Sequence, residues 1–197
     1  MKSKVQSADN TPSRLFKSQK AWATWLKKNH RKNPGLWLRF AKKSSGLRSV
    51  NYQEAIEVAL CYGWIDGQAR PENEQTWSQR FVPRSPKSLW SKINRKKAQA
   101  LIANGKMKAA GLAAIKAAKK EGRWKSAYDS PSKAKVPDDL QAALDAHPEA
   151  KAFFETLNRQ NRYAILWRIQ TAKKVETRAR KIQEYIEMLE KGEKIHP

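Results

Sequence analysis

The side chains best suited to chemistry are concentrated in one stretch, ALCYGWIDGQARPENEQTWSQRFVPR, which runs from Ala59 to Arg84. It holds the only cysteine, Cys61, a carboxylate at Asp66, and two guanidinium groups at Arg80 and Arg84. A nucleophilic thiol needs a base or a positive field to form thiolate. Cys61 falls near the end of an amphipathic helical pattern, where the negative end of the helix dipole raises a thiol pKa. It is therefore expected as a small core residue. Asp66, between Ile65 and Gly67, reads either as the acid/base of an undescribed enzyme or as a partner of Arg80 or Arg84 across a hairpin. Both readings require Asp66 and Arg80 on one face of a sheet.

Other chemistries lack their sequence signatures. His30, His147 and His196 are scattered, and no HxxxH, HxH or CxxC spacing is present, so no metal is expected. The eight glycines form neither a GxGxxG nor a GxxxxGK[ST] loop, and there is no GxSxG. No cofactor is expected. The charge is distinctive: a net +23 at pH 7 over 197 residues. About half of that excess lies in residues 84–125, which carry 13 basic side chains against one acidic. Such an imbalance favours polyanions, either nucleic acid or an anionic small molecule. The N-terminal residues carry lysines but no apolar run, and no segment approaches the roughly 18 apolar residues of a membrane span. A cytoplasmic location is expected.

The elements that must position these groups follow from period and punctuation. SQKAWATWLKKNH reads as a helix capped by Ser18. GLWLRFAKK alternates as a strand, with Leu36, Leu38 and Phe40 on one face and Trp37 and Arg39 on the other. NYQEAIEVALCYG is a second helix, with a capping box from Asn51 to Glu54 and Gly63 past its end. WIDGQAR and QTWSQRFVP read as two strands joined by PENEQ. SPKSLWSKINRKKAQALIANG is a helix expected to start with Ser85 as cap and Pro86 at its first position, with Leu89, Ile93, Leu101 and Ile102 inward. KAAGLAAIKAAKKEG is an alanine-rich helix. DSPSKAKVP has no apolar pattern and reads as a linker. Four helical patterns follow, the last with Val175, Ala179, Ile182, Ile186 and Leu189 as its buried stripe.

The expected fold class is α+β: a helix-rich N-terminal domain with a small sheet, then an all-helical C-terminal region. The boundaries are an arm at 1–13, the α+β domain at 14–128, a linker at 129–136, the helical region at 137–192 and a tail at 193–197. Trp90 interleaves with Lys92, Arg95, Lys96 and Lys97, while Lys116, Lys119 and Lys120 crowd the outer face of the next helix. Aromatic and cationic groups mixed in this way suit single-stranded nucleic acid. The helices over 86–121 are therefore an alternative binding surface.

ALCYGWIDG, QRFVPRSPKSLWSKIN and GKMKAAGLAAIKAAKKEGRW, followed by the helical segment from Val136 to Leu189, resemble the YdeI/OmpD-associated, or bacteriocin-protection, family. The resemblance extends from about Phe16 to Leu189. Its pattern falls on Ala59–Asp66, Arg80–Arg84 and the group Ser88, Trp90, Ser91 and Asn94. It implies bacterial origin and a link to tolerance of cationic antimicrobial peptides. A porin partner is not carried over from the family name, because that would require export. The matched residues Asp66, Arg80, Arg84, Trp90, Ser91 and Asn94 combine charge, amide and indole groups. Together they would form a pocket for an anionic ligand at a hairpin and a helix N-terminus.

Overall fold

The computed structural model describes residues 11–197. Most of the expected arm, 1–10, lies outside the described residues. The chain divides into two compact units. The first comprises residues up to Ser88 together with Lys96–Trp124; the second comprises Leu89–Arg95 and Lys125–Pro197. The fold is α+β, with a small four-stranded sheet in the N-terminal half and helices dominating the C-terminal half.

In the first unit, strands β1 (Ser13–Leu15), β2 (Leu36–Ala41), β3 (Trp64–Pro71) and β4 (Thr76–Pro83) form one sheet in the order β1-β2-β4-β3. β1 was not expected; it is three residues long, too short for an alternating pattern, and pairs parallel to β2. Helix α1 (Gln19–Asn29) starts where Ser18 accepts a hydrogen bond from the Ala21 amide. Helix α2 (Tyr52–Cys61) carries the reciprocal Asn51–Glu54 capping box. Leu36, Leu38, Phe40 and Phe81 occupy one sheet face and are all buried, because successive side chains of a strand alternate between faces. Trp22 of α1 lies edge-on to Phe81 and stacks on Trp25, and its indole donates to the Ala55 carbonyl of α2.

Helix α3 (Lys92–Ala103) begins later than the Ser85–Pro86 signal suggests. Ser85 and Ser88 instead close a tight turn, in which the Ser88 amide donates to the Ser85 carbonyl and the Ser85 amide to Oγ of Ser88. Within the second unit, Ser91 is held in a bridge to Tyr128, whose amide donates to the Trp90 carbonyl and whose carbonyl accepts from the Lys92 amide. These two bonds compete with helix at 90–91 and win. Ser91 then serves as the cap, accepting from the Asn94 amide. Leu101 is buried as expected, but Ile93 and Ile102 are 46% and 41% exposed, so they do not belong to the core. Helix α4 (Ala109–Lys120) follows the alanine-rich pattern. Its Gly111 lies against the carbonyls of Leu60 and Cys61 at the end of α2.

The second unit contains helices α5 (Asp138–Ala146), α6 (Pro148–Thr156), α7 (Arg159–Gln170) and α8 (Val175–Glu190). Leu140, Leu144, Phe154, Ile165, Ile169, Ile186 and Leu189 form their shared core. Val175 and Ala179, both expected on the buried stripe of α8, are exposed, Val175 at 79%, because the first turns of the helix run before the core; the stripe meets it only from Ile182 through Ile186 to Leu189. Asn161 is buried and ties down the chain end, exchanging hydrogen bonds with the carbonyl and amide of His196.

Arg178 of α8 clamps both carboxylate oxygens of Asp139 on α5, at 2.6 and 2.8 Å. These hydrogen bonds, opposed in part by burial, hold the Asp139 carboxyl below its usual range. A carboxylate lowered on folding stabilises the fold above its unfolded pKa of about 4, and that contribution is lost as pH falls through the folded value. The urea midpoint of unfolding is therefore expected to drop on acidification below about pH 4. Asp139→Asn should make that drop shallower, as followed by circular dichroism; an identical drop in the variant would exclude this pair as a source.

Candidate functional site

Register decides the first question about Asp66 and Arg80. Asp66 pairs with Phe81 across β3 and β4, while Arg80 pairs with Trp37 across β4 and β2. Asp66 therefore shares the face of Phe81, and Arg80 leaves the sheet on the other face. The expected pairing of the two across the hairpin is not formed. The Asp66 carboxylate accepts the hydroxyl of Tyr52 at 2.6 Å. On the opposite face, Arg80 reaches Oγ1 of Thr11 at 3.4 Å, and Arg70 stacks its guanidinium 4.0 Å above the Trp37 ring while bonding Glu72. Arg84 follows β4, with its amide donating to the Gly63 carbonyl. Cys61 is buried, and desolvation raises its thiol pKa against the opposing field of Lys108, which fits the core reading.

Of the remaining motif residues, Ser88 closes the first segment of the first unit, and Trp90, Ser91 and Asn94 belong to the second. Trp90 is 2% exposed and is fixed by the Tyr128 bridge; Ser91 caps α3, and Asn94 is half-buried in its first turn. Two of the three thus have structural duties that explain them. Among the basic residues of 86–121, Lys92 bonds Asp129 at 2.7 Å, Lys97 bonds Gln53, and Arg95 donates to the Lys125 carbonyl. Lys96, Lys116, Lys119 and Lys120 are exposed, with Lys119 5.8 Å from the Trp124 ring centroid.

The expected linker is a built wall. The Asp129 amide donates to Oε1 of Gln170, its carbonyl accepts from the Tyr163 hydroxyl, and its Oδ2 accepts from Lys92 and Gln170. Burial raises the Asp129 pKa, but the hydrogen bonds from Lys92 and Gln170 outweigh it and hold the carboxyl low. Burial, with the nearby Tyr128 and Asp129, pushes the Tyr163 phenol up to about 12, so it remains a hydrogen-bond donor at neutral pH. Asp129 and the residues from Ser132 to Pro137 then line a cleft of about 750 Å³ with Leu166, Gln170, Arg178 and Lys92.

This cleft presents four cations and one carboxylate. Lys92 is matched to Asp129, and Arg178 to Asp139. Lys133 and Lys135 line the cleft with no ion-pair partner among the described residues. Neither lysine was singled out in the sequence, although the KAK run is visible there. Among the described residues, no group of three or more His, Cys, Asp or Glu could hold a metal ion, and no helix is long and apolar enough to cross a membrane.

A family model described as a domain of unknown function, DUF8412, matches residues 14–114, just over half the chain, and the protein belongs to that family. A second model, described as bacteriocin-protection, YdeI or OmpD-associated, matches residues 133–192 and supports the assignment drawn from the sequence resemblance. This match is narrower than the resemblance from Phe16 to Leu189: the motifs between Ala59 and Asn94 fall within the first match instead. No curated protein and no solved structure matches the chain.

Proposed function

We propose that this protein binds an anionic ligand and that the cleft of the second unit receives it. The observation that carries this reading is the pair Lys133 and Lys135, neither in an ion pair among the described residues, in a cleft whose only carboxylate, Asp129, is bonded by Lys92 and feels Lys133 at longer range. Two ammonium groups one residue apart suit a phosphate or carboxylate, and Ser132 adds a hydroxyl beside them. The Asp129 bonds fix the start of the wall, so little ordering is needed on binding. A protein of net charge +23 repels a cationic peptide. The antimicrobial tolerance suggested by the resemblance would therefore run through an anionic partner rather than through capture of the peptide.

Isothermal titration with inorganic pyrophosphate tests the site. The wild type should bind, and Lys133→Ala/Lys135→Ala should bind at least about tenfold more weakly, the loss of one to two charge-assisted contacts. Equal affinity in the two proteins would reject the cleft.

A further inference from the structure

A second groove, in the first unit, has different chemistry. Its volume is about 770 Å³, and its lining includes Phe40, Tyr52 and Trp77 together with Lys42, Lys43 and Arg48. Phe40 and Trp77 face each other across β2 and β4 and stack with centroids 4.7 Å apart at 23°. Tyr52 closes the trio at 6.1 Å from each. Phe40 is buried, whereas Trp77 and Tyr52 are only half-buried. Lys42, Lys43 and Arg48 are exposed, and no ion pair engages them among the described residues.

The surrounding backbone is fixed. The Lys42 amide donates to the Gln75 carbonyl, the Ala41 amide to the Ser49 hydroxyl, and the Ser45 hydroxyl to the Lys42 carbonyl. Two nearby carboxylates are already engaged: Glu54 bonds the Asn51 amide, and Asp66 accepts from Tyr52. The cations are therefore available to a ligand on a preorganised loop.

The geometry points to a site for single-stranded nucleic acid, with bases against Trp77 and Tyr52 and phosphates on Lys42, Lys43 and Arg48. Aromatic faces take any unpaired base, while a cationic rim follows the backbone. A duplex keeps its base faces stacked on one another, so it cannot use the aromatic floor. This site does not depend on the anion cleft of the second unit.

Fluorescence anisotropy with a labelled short oligothymidylate, at several salt concentrations, tests it. Lys42→Ala/Lys43→Ala/Arg48→Ala, which removes only exposed side chains, should weaken binding. It should also flatten the slope of log K against log salt by about 2, the share of three phosphate contacts. Trp77→Leu, used if its circular dichroism is native, should weaken binding about tenfold with the slope unchanged. Lys133→Ala/Lys135→Ala should bind the oligonucleotide as the wild type does, which separates this site from the cleft. The proposal is overturned if the wild type does not bind, if the triple variant keeps the wild-type affinity and slope, or if duplex or inorganic polyphosphate competes as well as the single strand.

Discussion

Trp22→Ala is expected to destabilise the first unit by about 4 kcal/mol, within the range seen when a buried tryptophan is truncated. Trp22 is fully buried, and its ring lies 5.2 Å from Phe16, 5.4 Å from Trp25, 5.7 Å from Phe81 and 6.3 Å from Trp64. The surrounding rings are themselves rigid and anchored on three different elements, so they cannot collapse into the space left. The substitution also removes the bond from the indole to the Ala55 carbonyl, a smaller loss because that carbonyl belongs to a helix and has a second acceptor site. Trp22→Phe, which keeps most of the volume, should cost less than half as much. Urea denaturation followed by circular dichroism measures both. A loss below about 1 kcal/mol for the alanine variant would mean that this cluster is not the anchor of the unit.

Gly111→Ala is the second large effect, and its sign is a contest. An alanine inside a helix is favoured over glycine by about 1 kcal/mol through backbone entropy and propensity. A Cβ at Gly111, however, would lie 2.6 Å from the carbonyl oxygens of both Leu60 and Cys61, and against the sulfur of Met107. Methionine can move aside; two main-chain carbonyls at the end of α2 cannot. The helices must separate, and the bond from the Lys108 amide to the Cys61 carbonyl weakens with them. Overpacking of this kind costs about 3 kcal/mol and outweighs the propensity gain, leaving a net loss of about 2 kcal/mol. Ala113→Gly, at an exposed position of the same helix, isolates the propensity part and should lose about 1 kcal/mol. A Gly111→Ala protein more stable than wild type in the same urea titration would refute the close approach.

Local signals were readable wherever one residue type does one physical job. Ser18 and the Asn51–Glu54 box start their helices as read, and the alternation of Leu36, Leu38 and Phe40 gives both the strand and its buried face. Pairing partners are not local. Nothing near Asp66 says that Phe81, and not Arg80, lies beside it, and one step of register moves a side chain to the other face. The start of α3 is set non-locally for the same reason, since Tyr128 keeps Trp90 and Ser91 out of the helix from far along the chain. The cleft of the second unit is hidden by composition: Ser, Pro and Lys without an apolar pattern read as a linker, yet Asp129 is tied by Gln170, Tyr163 and Lys92. The groove at Phe40 and Trp77 required the β2–β4 register before its two rings could be placed together.

The bridge from Trp90 and Lys92 to Tyr128 also bears on synthesis. Leu89–Arg95 emerge from the ribosome before the Lys96–Trp124 segment that completes the first unit, and well before their own partners. At about 5–20 residues per second, that segment takes a few seconds to emerge, during which Trp90 has no Tyr128 to join. Neither unit can close from a nascent chain that stops before Trp124, so both complete their folding late and in interleaved order. A premature stop inside α4 thus leaves the first unit incomplete and keeps of the second only Leu89–Arg95, stranding Trp90 without Tyr128.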